Sequence, residues 1–336
     1  MSERARAIEA FLTAAGWSEA PRTPLAGDAS ARVYERLCRA GAADGVLMDA
    51  PNAGVVGPFA AMSAYLRAAG YSAPAIWAED TEAGLLLCED LGDDLFARLA
   101  LAGCDMTPLY EAAVDLLVDL HRRPPPAVPP YDVARLLEEV GRFPIWYLPA
   151  VTGHELSAGA RASFDGMWHT LLAQASLDDG VVVLRDYHAE NLIWLPRRVG
   201  LGRIGLLDFQ DAVIGPRAYD LVSLLEDARR DVGVALGKAM VARYLTGSAV
   251  EPKAFRRAFA ILGAQRNTKI IGLFTRLWRC EGKSRYLEMI PWMWTMLERD
   301  LAHPALALAR AWFDRHVPRA LRIVPPAGGR AGANAG

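Results

Sequence analysis

Cysteine is scarce: Cys38, Cys88, Cys104 and Cys280 are the only four in 336 residues, and no two form a CxxC pair. That spacing supplies neither a disulfide framework nor the ligands of a structural zinc, and fits small apolar packing in a reducing compartment. Excess charge is missing too. Lys plus Arg number 37 against 39 Asp plus Glu, a net charge of −2, too balanced for a surface that tracks a phosphate backbone, so nucleic acid is not an expected partner. No apolar run reaches bilayer-spanning length, and the opening MSERARAIEAFLTAAGW places charges where a signal peptide needs its apolar core. The expectation is a cytoplasmic protein with no membrane association and no obligate protein partner. Internal repeats are absent as well.

What is present is an ordinary globular composition, 52% hydrophobic and 23% charged, on a chain too long for one simple core and suited to two lobes around a cleft. Residues 5–16 are patterned as an amphipathic helix, and a Pro/Gly loop follows through Ala26. GDASARVYERL and GVLM are two strand-like runs a turn apart, a hairpin signal. Residues 60–69 are helical in composition and Gly70 stops them. The apolar run 85–88 reads as a buried strand leading into Glu89, Asp90 and Gly92, a composition shift that marks a hinge. Helices are expected at 108–123, ended by PPPAVPP, and at 132–140, 157–175, 220–245, 252–280 and 288–315. A β island interrupts them: VVVL at 181–184, LIWL at 192–195 and RIGLLDF at 203–209. The expected division is an N-lobe over 1–88, a hinge at 89–92, a C-lobe over 93–323, and a low-complexity, disordered tail over 324–336.

Chemistry concentrates in VVVLRDYHAENLIWLPRRVGLGRIGLLDFQDA. Asp186 and Asn191 stand five apart at the two ends of one loop between strands, and Asp208, 17 further on, closes a strand that can lie beside them as a hairpin partner. Convergent carboxylate and amide oxygens are what Mg²⁺ needs, since it is a hard cation that takes one or two carboxylates plus phosphate oxygens. A further carboxylate, at Asp186, can accept the proton of an attacking hydroxyl. Either aspartate alone would suit a turn at a strand end; the three together in a strand–loop–strand frame are far more specific. Asp220 fits a helix N-cap, with the helix starting at Leu221. In the first half of the chain the small-residue turn Gly27, Asp28, Ala29, Ser30 lets backbone N–H groups approach phosphates closely.

This loop resembles that of the aminoglycoside phosphotransferases and choline kinases, within the protein-kinase-like superfamily. The resemblance implies an α+β, bilobal protein-kinase-like fold, with a small β-rich N-lobe and a larger, mostly helical C-lobe. It implies ATP and Mg²⁺ as cofactors, Asp186 serving the nucleophile, and Asn191 and Asp208 binding metal. His188 matches the D-x-H-x-x-N form of the loop and is expected to brace it. Gly27, Ala29, Ser30 and Arg32 are then candidate phosphate contacts, and the backbone at Glu89–Leu91 the expected partner of adenine.

One departure stands out. The last apolar position of the strand GVLM is usually a lysine in that superfamily, paired with a glutamate on the next helix. Here it is Met48, and GPFAAMSAYLRAAG holds no glutamate. Losing both is physically coherent, because a buried glutamate without its cation would cost on the order of 3–5 kcal/mol. Arg32, Tyr34 and Arg36 share a face of their strand by period two, and Arg32, next to the GDAS turn, is the expected replacement cation; two solvated arginines would show the same spacing.

A narrower resemblance covers most of residues 25–285, through GDASARVYERL, VLMDAP, LLLCEDLG, RDYHAENLIWLP, GLLDFQDAVIGPRAYDLVSLLEDARRDV and AQRNTKIIGLFTRL. These segments look like the anomeric N-acetylmuramate/N-acetylglucosamine kinases of Gram-negative cell-wall recycling, methionine included. That implies a small-molecule amino sugar as partner and transfer of the γ-phosphate to its C1 hydroxyl. Asp186, Arg185, His188 and Gln210 are then candidate acceptor contacts. Trp146, Tyr147 and Trp194 offer the aromatic surface an acetamido sugar needs, although such residues equally build cores. Lys269 and Arg276, seven apart on one helix, fit the lactyl carboxylate of muramate and fit a solvated face equally well. The alternatives are a phosphotransferase for an aminoglycoside or another small alcohol, and a non-catalytic ATP-sensing protein.

Overall fold

The computed structural model describes residues 2–25, 31–39, 41, 43–175 and 180–326. Gly27, Ala29 and Ser30, and most of the tail expected to be disordered, lie outside the described residues. Two compact units emerge: 1–119 with 184–212, and 120–183 with 213–336.

The first unit opens with α1 (Glu3–Ala14), whose N-terminus is capped by Ser2 Oγ accepting from the Ala5 N–H at 3.2 Å. Five strands form one antiparallel sheet: β1 (Arg22–Leu25), β2 (Val33–Leu37), β3 (Gly45–Asp49), β4 (Ile76–Asp80) and β5 (Leu85–Glu89), in the order β1-β2-β3-β5-β4. The expected β2–β3 hairpin is present, Val33 opposite Asp49 through Leu37 opposite Gly45. β1 and β4 went unforeseen: β1 lies where a loop was expected, and its Pro24 is tolerated because the strand is at the sheet's edge. Helix α2 (Val56–Ala68) buries Val56, Phe59, Met62 and Leu66 and stops before Gly70, whose φ of +88° suits glycine. Two helices follow, α3 (Phe96–Leu101) and α4 (Thr107–Leu120).

The second unit is mostly helical. It holds α5 (Val133–Val140), α6 (Leu148–Thr152), α7 (Ala158–Leu172), β6 (Val181–Val183), β9 (Val213–Gly215), α8 (Ala218–Leu225), α9 (Val234–Gly247), α10 (Pro252–Glu281), α11 (Ile290–Leu301) and α12 (Ala307–His316). β7 (Leu192–Trp194) and β8 (Ile204–Leu206) belong to the first unit. Two helices expected to be continuous are broken. Between α8 and α9, Asp227 accepts from the Arg229 N–H at 2.9 Å, Asp231 from the Gly233 N–H at 2.8 Å, and Gly233 takes φ +81°; local side-chain bonds offer the backbone an alternative to helix. Pro304 falls in the break between α11 and α12. Asp220 is corrected as well: α8 starts three residues earlier than Leu221, at Ala218, so Asp220 sits fully buried in its first turn instead of capping it. The long helix α10 runs through the middle of this unit. Its Gly272 lies against the backbone of Arg142 and Phe143, where a Cβ would come within 2.5 Å of main-chain atoms.

Candidate active site

β7 and β8 pair antiparallel, Leu192 opposite Leu206 through Trp194 opposite Ile204. The loop that enters β7 and the chain that leaves β8 therefore emerge at the same end, where the Leu207 N–H donates to the Asn191 carbonyl at 3.0 Å. The loop is knitted by its own backbone. The Asp186 carbonyl accepts from the His188 N–H at 3.1 Å and from Asn191 Nδ2 at 2.9 Å, and the His188 carbonyl accepts from the Asn191 N–H at 2.8 Å. His188 is 7% exposed, in keeping with a brace. With Nδ2 committed to the backbone, the amide of Asn191 is fixed in orientation and its Oδ1 is the atom left to bind a ligand.

Two non-glycine residues among those described have positive φ, Arg185 at +70° and Asp208 at +58°. Both flank this loop pair. Such residues cost on the order of 1–3 kcal/mol each and persist where surrounding structure over-determines them. Phe209, 1% exposed, anchors the segment by stacking on Phe59 of α2 with ring centroids 4.7 Å apart.

Asp208 Oδ1 accepts from Arg32 Nη2 at 2.5 Å and from Gln210 Nε2 at 3.1 Å. Gln210 Nε2 also reaches Asp211 Oδ2 at 3.0 Å, and Gln210 Oε1 is buried with no hydrogen-bond partner among the described residues. Burial acts to lower the pKa of Arg32, but Asp208, Tyr34 and Asp211 together more than offset it, so the guanidinium's pKa is raised. The donor set fits magnesium. Asn191 Oδ1 and the Asp208 carboxylate are hard oxygens, the kind that magnesium takes together with phosphate and water.

On the sheet, Met48 is 1% exposed, between Tyr34 of β2 and Leu86 of β5; it is a core residue. Arg36 binds Asp90 and, at 2.8 Å, Asp93, and this bonding holds Asp93 below the usual carboxylate range. At the expected hinge the Glu89 N–H donates to the Ala75 carbonyl at 2.8 Å and the Asp90 N–H to Asp44 at 3.1 Å, so those two donors are taken. The Glu89 carboxylate is held by Arg198 at 2.6 Å and Arg67 at 3.2 Å. Leu91 packs toward Gly205 of β8, where a Cβ would come within 3.1 Å of Leu91 Cδ1.

Trp146, Lys269 and Arg276 belong to the second unit. Trp146 is half-buried in the π-helical turn Phe143–Tyr147. Its neighbour Tyr147 is core, fully buried, with its hydroxyl donating to the Leu321 carbonyl at 2.6 Å. Lys269 pairs with Glu139 at 2.8 Å, and the Tyr131 hydroxyl donates to the same carboxylate at 2.5 Å. Arg276 pairs with Glu281 at 3.0 Å. Both cations expected to meet a substrate carboxylate thus already serve carboxylates of this chain. Sequence reasoning passed over Asp211 and Glu139; Asp211 directly follows DFQ and was there to be weighed, whereas nothing local connects Glu139 with a lysine 130 positions away.

The sequence profile of the phosphotransferase enzyme family matches residues 22–258. A protein of Caulobacter vibrioides named N-acetylmuramate/N-acetylglucosamine kinase is 40% identical, over 94% of this chain and 98% of its own. One of the same name from Pseudomonas aeruginosa is 35% identical over 88% and 90%. Among solved structures, a choline/ethanolamine kinase family protein from Mesorhizobium loti superposes with a TM-score of 0.63 at 16% identity, covering 92% of this chain and 98% of that one. The GDP complex of an aminoglycoside 2'-phosphotransferase-IIIa gives 0.61 at 13%, covering 89% and 100%. At such identities the structures speak for the fold, which is protein-kinase-like.

Proposed function

The chain belongs to the phosphotransferase enzyme family, and from that premise we propose that it transfers the γ-phosphate of ATP to the anomeric hydroxyl of N-acetylmuramate or N-acetylglucosamine, in the recycling of peptidoglycan sugars. The observation that carries this is the 40% identity to a kinase of that name over 94% of the chain. The local chemistry supports the reaction class. In this reading Asp186 accepts the proton of the attacking hydroxyl, while Asn191 Oδ1 and the Asp208 carboxylate hold Mg²⁺. When bound, that ion neutralises charge on the transferring phosphoryl group. The backbone brace through His188 keeps Asp186 and Asn191 in one rigid loop, which lowers the ordering cost at the moment of reaction. Gln210 Oε1, a buried acceptor with no donor among the described residues, suits a hydroxyl or amide N–H of the acceptor sugar.

The reading also takes in the lobe division at 89–92, with nucleotide bound by residues 1–88 and sugar by 93–323, and a cytoplasmic setting. Adenine would use the backbone around Leu91, since the N–H groups of Glu89 and Asp90 are spoken for.

The test is ADP release with N-acetylmuramate, N-acetylglucosamine, kanamycin and choline offered separately, with ³¹P NMR of any product. Turnover on an amino sugar, with phosphorus coupled to the anomeric proton, is expected. Phosphate on another carbon would overturn the anomeric assignment. Turnover only on kanamycin or choline would overturn the substrate class, and none on any acceptor would favour a non-catalytic nucleotide binder.

A further inference from the structure

Where the superfamily carries a lysine this chain buries Met48, and α2 offers no acid to receive a cation there. The residue that enters β2 carries a cation. Tyr34 lies opposite Met48 in register. Arg32, two residues before it, sets its guanidinium 6.0 Å from the centre of the Tyr34 ring and bonds Asp208 Oδ1 at 2.5 Å. Its side chain is 14% exposed and that of Asp208 30%, so the pair is shielded from water without being sealed. A permanent bond of this kind conflicts with metal binding, because a fixed positive charge on the carboxylate repels a second cation brought to it.

Resting on the assignment of Asp208 as a metal ligand, we propose that Arg32 is an exchange cation. With no nucleotide bound it neutralises Asp208. When metal and nucleotide enter together, Asp208 gives its carboxylate to the metal, and the released guanidinium turns to the phosphate oxygens. Each partner trades one opposite charge for another, and the planar fork of arginine matches phosphate as well as carboxylate. Metal alone would displace Arg32 from Asp208 without supplying the phosphate oxygens that replace that bond, so metal and nucleotide binding are coupled, each favouring the other equally. Arg36, inside β2, stays bound to Asp90 and Asp93. It fixes the strand while Arg32 changes partner.

Mn²⁺ binding followed by electron paramagnetic resonance, first alone and then with ADP, separates the possibilities. Without nucleotide, Arg32→Ala and Arg32→Gln should bind Mn²⁺ at least threefold more tightly than the parent, since a competitor has been removed. With Mn²⁺ saturating, the same variants should bind ADP tenfold or more weakly. Arg32→Gln keeps the side chain polar and guards against a folding loss in the alanine variant. Weaker binding of Mn²⁺ alone, or no change in either measurement, overturns the exchange and makes Arg32 a fixed clamp. Asp208→Asn tests the ground beneath: it should remove Mn²⁺ binding with and without ADP. If binding survives in that variant, the metal assignment itself fails, whatever Arg32 does.

Discussion

Around Asp208 the polar groups are only partly withdrawn from water, the backbone is strained at Arg185 and Asp208, and Gln210 Oε1 has no partner among the described residues. Along α10 the terms differ. Gln265, Asn267 and Thr268 are fully buried and Arg266 is 5% exposed. Five polar residues in succession, 265–269, sweep more than a full helical turn, so no single face could hide them and this stretch of α10 is enclosed on all sides, while Arg256, Arg257 and Glu281 nearer its ends are exposed. Here the bonds are internal: Asn267 Nδ2 donates to Glu226 at 2.7 Å and Asp300 at 2.9 Å, Arg266 donates to the Ser223 hydroxyl at 3.0 Å, and Lys269 pairs with Glu139. Polar groups poised for ligands keep exposure and exchangeable partners. Those that specify packing are almost wholly buried and draw most of their bonds from within the chain, although Gln265 Oε1 and Asn267 Oδ1 also find no partner among the described residues.

Asp186→Asn should give the largest effect and sharpen the contrast most. It removes proton acceptance while altering little volume, so kcat should fall about a thousandfold, roughly 4 kcal/mol, with an unchanged melting temperature. A variant keeping more than a tenth of the parent kcat would take Asp186 out of that role.

Lys269→Met should do the reverse. It takes the cation from Glu139, whose side chain is 5% exposed and keeps the Tyr131 hydroxyl, at a cost of about 3 kcal/mol read in chemical denaturation. Should Lys269→Met unfold like the parent yet lose turnover on N-acetylmuramate and keep it on N-acetylglucosamine, the contrast breaks: Lys269 would then be the lactyl-carboxylate contact expected from sequence.

The smallest effect concerns pH. Burial pushes the Glu226 carboxyl up to about 7, and burial together with the Glu226 charge raises Asp300 well above its ordinary range. A carboxyl whose folded pKa is raised keeps its proton in the folded state after the unfolded chain has lost it. Its stabilising effect is therefore greatest below the unfolded pKa of about 4.5 and declines as pH rises toward 7. Glu226→Gln should flatten that decline, on the order of 1–3 kcal/mol between pH 4.5 and 7, in denaturation series at stepped pH. An identical slope in parent and variant would mean that Glu226 does not carry the proton.

Much of this was legible because the signals were local. The 186–208 segment spans 22 positions, and the alternating run at 33–37 forms β2, the strand its pattern predicts. What escaped were elements without a local signature. β4 is half-exposed and charged at its end, β9 is three residues long, and both exist because a neighbouring strand needs its hydrogen bonds met.

The sequence by itself determined the family, the strand–loop–strand frame that holds Asp186, Asn191 and Asp208, and the methionine at position 48, since each rests on residue types at short, fixed spacings. Only the tertiary structure decided where the displaced charges went. Arg32 meets Asp208 across 176 positions, and Lys269 meets Glu139 across 130. An ion pair is chosen by distance and burial in the folded chain, and neither quantity is written in the spacing of residues that far apart.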